Sequence, residues 1–195
     1  MIKLKWGNHK LPKNTMIFNM TSAENCPAAK LGLCKLNALK IKCYALKAEQ
    51  QYKEHVLKAR KEQEEYWNTR SVDDILNDMR KKIESRKSET KYFRYNESGD
   101  FKNQEDIEKL SEIAKKLNEE FSITTYGYSA RSDLDFKNVN FLVKGSGHDN
   151  GNNGTTIVVN KKEDVPKDYI TCTGSCIDCD VCKKLNKLNV AFIKH

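Results

Sequence analysis

The sequence predicts an α/β fold: a mostly parallel sheet, an open or partial (β/α) barrel of about six strands, followed by a C-terminal cysteine-rich segment. Three observations carry this expectation. Short β-rich runs alternate with stretches of helical periodicity, an order that favours parallel pairing through crossovers. At 195 residues the chain is too short for a closed eightfold barrel, which takes roughly 250. Polar loops follow several strands, at the strand ends where such folds hold ligands.

The first strand is TMIFNM, 15–20, an apolar run after a turn at Pro12. A loop with Cys26, Pro27, Gly32 and Cys34 follows. From Cys43 to Thr69 the spacing predicts one long helix, with Tyr52, Val56, Ala59 and Tyr66 on its buried face. Ser71 is an N-cap for a second helix, with Asp73 and Asp74 in its first turn and Ile75, Met79 and Ile83 along one side. KYFRYN, 91–96, alternates as a strand and opens into the polar loop NESGDF. A third helix, 104–119, carries the stripe Ile107, Leu110, Ile113, Ala114 and Leu117. FSITTYGY (121–128), VNFLVKG (139–145), TTIVVN (155–160) and NVAFIK (189–194) are further strands. Residues 1–168 are read as the α/β core with an N-terminal three-cysteine loop, and 169–195 as the cysteine-rich segment packed on it.

Composition narrows the function classes. Aromatic residues reach 9% and are spread along the chain, which argues against disorder despite 32% charged residues. No apolar run is long enough to span a membrane, so no membrane partner is expected. MIKLKWGNHKLPK has charges but no apolar stretch, so no secretory leader is expected and the protein is assigned to the cytoplasm, the host's if it is phage-encoded. Thirty-five Lys and Arg against 27 Asp and Glu give a net charge of +8. That balance suits a nucleic acid or nucleotide substrate, or simply a lysine-rich solvated surface.

The seven cysteines fall into two groups. Cys26, Cys34 and Cys43 are spaced C-x7-C-x8-C, and Cys172, Cys176, Cys179 and Cys182 are spaced C-x3-C-x2-C-x2-C. An odd number without a leader argues for metal over disulfides. Four closely spaced thiols close a tetrahedral or cubane site by themselves, and their short steps favour an iron–sulfur cluster, with zinc as the alternative. The N-terminal three leave one metal position for another ligand. Cys34 and Cys43 also fit as ordinary small buried residues. His148, in the loop SGHDNGNNG, is a candidate fourth ligand or proton donor, although a lone loop histidine is more often neither. Arg131, near Asp133 and Asp135, has the donor fork to hold a carboxylate or phosphate, or to close a structural ion pair. Tyr126 and Tyr128 are equally suited to stacking a nucleobase and to core packing.

GNHKLPKNTMIFNM, CP, GLC, CYALKAE, FRYNESGDF, TYGYSARSDLDF and the terminal cysteines resemble the phage-associated gene product 88 family over most of the chain. The cysteine triplet after strand one, ending in Cys43-Tyr44-Ala45, is also similar to the cluster loop of radical S-adenosylmethionine proteins. That second likeness implies two iron–sulfur clusters of the 4Fe-4S type, an external electron donor, S-adenosylmethionine as cofactor and an enzymatic radical reaction on an unidentified substrate. It implies an open cluster on Cys26, Cys34 and Cys43 and a closed one on the C-terminal four. It also assigns the S-adenosylmethionine amino group to Glu97, with Asp100 as substitute, in the Glu97-Ser98-Gly99-Asp100 segment. The usual cluster spacing, C-x3-C-x2-C, stands instead at Cys172, Cys176 and Cys179, with Asp178 where an aromatic belongs, so the reverse assignment stays open. The competing function is a non-catalytic module, stabilised by zinc or iron–sulfur, that binds nucleic acid or a host protein. A third reading is an iron–sulfur protein that moves electrons or sulfur.

Overall fold

The computed structural model describes residues 2–34 and 43–194. Its strands are β1 (Lys5–Trp6), β2 (Thr15–Phe18), β3 (Tyr92–Tyr95), β4 (Thr124–Ser129), β5 (Leu142–Ser146), β6 (Thr155–Val159), β7 (Tyr169–Thr171) and β8 (Asn189–Ile193). They form one sheet in the order β1-β2-β3-β4-β5-β6-β8-β7, antiparallel only between β1 and β2. The sheet is open, with β1 and β7 at its edges. It is mostly parallel, as expected, but has eight strands rather than about six. The two extra ones, β1 and β7, are two and three residues long, too short for alternation to reveal.

Helices α1 (Pro27–Lys30), α2 (Tyr44–Gln51), α3 (Lys58–Thr69), α4 (Val72–Glu84) and α5 (Gln104–Phe121) accompany it. Ser71 caps α4: its hydroxyl accepts from Asp74 N at 3.1 Å, and the Asp74 carboxylate reaches back to Ser71. The Asn103 side chain accepts from Asp106 N at 3.1 Å and starts α5. Ser122, at φ 55°, ends α5 in a left-handed residue and delays β4 to Thr124.

The single helix expected over 43–69 is broken. Tyr52 leaves helical geometry (φ −126°, ψ 57°), and Lys53–Leu57 forms a wide π turn before α3. Residues 51–55 are all exposed, so no buried side chain holds that stretch in one helix. The buried face of α3 is Arg60, Gln63 and Trp67 rather than the Tyr52-Val56-Ala59-Tyr66 stripe. Polar side chains are buried there because α3 covers a strand-end loop whose backbone needs partners. Gln63 accepts from Asn19 Nδ2 at 2.9 Å and donates to Lys3 O at 2.6 Å.

The two faces of the sheet differ. Met16, Phe18, Phe93, Tyr95 and Val143 pack with Trp67, Ile75, Met79, Ile107, Leu110 and Ile113 in the main core, so α3, α4 and α5 share one face. The register places Ile17, Arg94, Tyr126, Tyr128 and Lys144 together on the opposite, open face. Sequential strand order with helices on one face is half-barrel topology, without the order reversal of a doubly wound sheet.

Candidate functional site

The loops after β2 and β3 meet at the C-terminal edge of the sheet, and one carboxylate of α2 ties them together. Glu49 is 1% exposed and accepts from Ala23 N (2.7 Å), Glu24 N (3.0 Å), Ser98 Oγ (2.9 Å) and Arg60 Nη1 (3.0 Å). The loop entering Cys26 and the loop carrying Glu97 to Asp100 therefore share an anchor. Asn19 Oδ1 accepts from Ser98 N at 2.9 Å and adds a second tie.

Within that loop the expected cofactor residues are mostly engaged with the protein. Asp100 is buried and accepts from Ser129 Oγ (2.7 Å), Ala130 N (2.8 Å) and Phe101 N (2.9 Å), joining the ends of β3 and β4. Ser98 is committed to Glu49 and Asn19, and Gly99 (φ 74°) lies against Thr21. Glu97 is half-buried; its carboxylate takes Asn8 Nδ2, and its carbonyl takes the Tyr44 hydroxyl at 2.7 Å. Arg131 closes on Asp133 through Nε (2.7 Å) and Nη2 (2.8 Å) and gives Nη1 to Phe101 O and Lys102 O. Of its two expected roles, the geometry matches the structural ion pair, because the fork is already filled. His148 reaches only Ser146 O through Nδ1, at 3.4 Å, and its Nε2 is buried without a partner among the described residues.

Burial raises the Asp100 carboxyl from 3.8 to about 6, outweighing its three donors. The folded protein then holds this proton up to about pH 6, the unfolded chain only to about 4. Its contribution to stability is complete below pH 4 and is lost as pH rises through 6, a difference on the order of 3 kcal/mol. Asp100→Asn should remove this slope, read as denaturation midpoints of both proteins between pH 7 and pH 4.5.

The open face carries groups that sequence reasoning passed over. Arg94, at 7% exposure, stacks 4.3 Å from the centroid of the Tyr128 ring and 5.6 Å from that of Tyr126. Tyr126 packs edge-on to Tyr92, and its hydroxyl is buried without a partner among the described residues. The signal was present in KYFRYN: a charge at the centre of an alternating strand, on the same face as Tyr92.

The C-terminal segment folds back over this face. Lys144, buried at 1% exposure, donates to Asn153 O and Leu188 O at 2.6 Å each. Asn153 accepts from Asn186 N (3.0 Å) and Lys187 N (3.1 Å) and donates to Lys184 O (3.0 Å). The Asn-rich loop is thus the clamp for this segment. Lys183 Nζ lies 4.7 Å from the Tyr92 ring centroid and donates to Cys176 O. Cys172 N bonds Ala191 O, and Cys176 N bonds Lys10 O in the β1–β2 turn, both at 2.8 Å.

The sulfurs occupy two neighbourhoods. Cys26 precedes α1, and its thiol is pushed up to about 12 by burial first and then by the Asp100 charge; Cys34 adds to this. Cys43 precedes α2, and residues 35–42, between Cys34 and Cys43, lie outside the described residues. In the second neighbourhood, burial raises the Cys176 thiol first, followed by the charges of Cys182, Cys172 and Cys179, while Lys183 opposes them. Burial also raises Cys182, against a hydrogen bond from Tyr128 and the charges of Lys144 and Arg94. Cys176 is therefore within electrostatic reach of the other three C-terminal cysteines, and cations stand beside Cys176 and Cys182. Among the described residues, no three His, Cys, Asp or Glu side chains stand ready-made as a metal-ion site.

A family model described as gene product 88 matches residues 2–150. The chain belongs to the gene product 88 family. The match takes in the Cys26 loop, α1 to α5 and β1 to β5 of this gene product 88 protein, and ends before β6. It carries the phage association and not the likeness to radical S-adenosylmethionine proteins. No curated protein and no solved structure matches the chain. No helix among the described residues is long and apolar enough to cross a membrane.

Proposed function

We propose that this protein is an iron–sulfur protein of phage origin whose C-terminal cysteines hold a cluster against the open face of the half-barrel. The observation that carries the reading is the placement of Cys176 and Cys182 beside Arg94, Lys144 and Lys183. Buried thiols next to cations suit ligands that bind as thiolates, because the cations offset the charge that builds up when four protons leave. The donor set, four sulfurs on short steps, fits a cubane cluster chemically. Bound there, such a cluster supplies one-electron transfer. The chain's own part is to hold the thiolates, balance their charge through Arg94, Lys144 and Lys183, and shield them with the tyrosine wall. Cys26, Cys34 and Cys43 are the candidates for a second centre at the sheet edge.

The residues expected to hold S-adenosylmethionine fit that cofactor poorly. Ser98 and Asp100 are buried and serve the fold, Gly99 lies against Thr21, and the half-buried Glu97 carboxylate is taken by Asn8. Anaerobic purification with iron, sulfide and zinc analysis tests the proposal. Brown protein with about four irons per C-terminal group is expected, and Cys182→Ala should lose that metal and unfold the segment, since a structural metal contributes roughly 10 kcal/mol or more. Cys26→Ala should keep it. Colourless protein with zinc, or metal-free protein indifferent to Cys182→Ala, overturns the iron–sulfur reading. Release of 5′-deoxyadenosine on adding dithionite and S-adenosylmethionine would return that cofactor to the site.

A further inference from the structure

Arg94 is the one arginine of the open face, and its Nη1 is buried with no acceptor among the described residues. Among the described residues no carboxylate pairs with it, although the Cys182 thiol feels its charge. The nearby carboxylates are committed elsewhere: Glu97 to Asn8, and Asp100 to Ser129, Ala130 and Phe101. Two further buried donors lack partners among the described residues, the Tyr126 hydroxyl on β4 and Asn96 Nδ2 just past β3. Asn96 follows the last residue of β3, and its Oδ1 is already used by Met20 N at 2.8 Å. Among the described residues, three buried donors and one full positive charge, on or next to two adjacent parallel strands, thus lack an acceptor. A buried guanidinium without a carboxylate partner is costly, and native proteins leave few such donors unpaired. The guanidinium is also held flat by the Tyr128 ring, which orients its fork before any ligand arrives.

We propose that Arg94, with Tyr126 and Asn96, binds the oxyanion of a small molecule, a carboxylate or a phosphate. An oxyanion supplies the missing acceptors and the missing charge together. This is the task the sequence suggested for Arg131, whose fork is closed on Asp133, and it falls to the arginine that is still open. The inference does not require the cluster, because it rests on unpaired donors and not on the cysteines.

Thermal unfolding of the full-length protein tests it, with inorganic phosphate and malonate titrated separately against chloride at matched ionic strength. A saturable rise in midpoint with one of the two anions is expected, and the responding anion identifies the oxyanion class. Arg94→Met should weaken that response at least tenfold, read as the shift from its own midpoint in chloride. Tyr126→Phe should weaken it several-fold. No saturable rise with either anion, or an undiminished rise in Arg94→Met, overturns the proposal. Iron content read from the same samples keeps this outcome separate from the cluster reading.

Discussion

Glu49→Ala should lower stability by about 3–5 kcal/mol, among the largest losses any single substitution in this chain produces. The carboxylate is buried and accepts four hydrogen bonds, from Ala23 N, Glu24 N, Ser98 Oγ and Arg60 Nη1. Removing it strands the Arg60 guanidinium, whose remaining bond is to Ala45 O at 3.1 Å. It also frees two backbone N–H groups in the loop that leads to Cys26. Against a total stability of roughly 5–15 kcal/mol, this is a large share. The measurement is the urea midpoint with its slope. Glu49→Gln keeps the shape and part of the bonding, so its loss should be roughly half as large. Glu49→Leu combined with Arg60→Met should recover part of the deficit, because it removes both charges. Equal loss in the single and double variants would show that Arg60 is not the group left stranded.

Gly99→Ala should cost about 3 kcal/mol or more. A Cβ there would stand 1.9 Å from Thr21 Oγ1 and 2.4 Å from Thr21 O, at φ 74°. Thr21 cannot swing aside easily, because its hydroxyl accepts from Asp100 N (2.9 Å) and donates to Asp100 O (3.0 Å). Left-handed strain adds roughly 1–2 kcal/mol to the overlap with backbone. Gly32 is the control: its φ is 72°, but no atom lies within 4 Å of a Cβ there. Gly32→Ala should therefore show the backbone term alone, about 1 kcal/mol. Similar midpoints for the two variants would mean that the Thr21 contact relaxes freely. Because the loop from Glu97 to Asp100 joins the Cys26 loop to the end of β4, both substitutions should loosen the whole sheet edge.

Short-range patterns made much of the fold readable. The α5 stripe and the Ser71 cap depend on residues a few positions apart, and the helices follow them closely. The break at Tyr52 was hidden because helix formers on both sides mask a turn with nothing buried beneath it. At the candidate site the gap is wider. Arg131 and Arg94 look alike as arginines beside β-strands, yet one meets Asp133 two residues away and the other stacks on the Tyr128 ring.

The amino-acid order alone determined that a mostly parallel α/β sheet forms, that three cysteines follow its first long strand and that four close the chain. Which face of that sheet the last four cover, and which arginine has no carboxylate partner among the described residues, only the tertiary structure decided. Periodicity and capping act over one or two turns of chain, whereas a charge finds or misses its partner across strands brought together from far along the sequence. Arg94 lies 88 positions from Cys182, whose thiol feels its charge, and no local rule relates them.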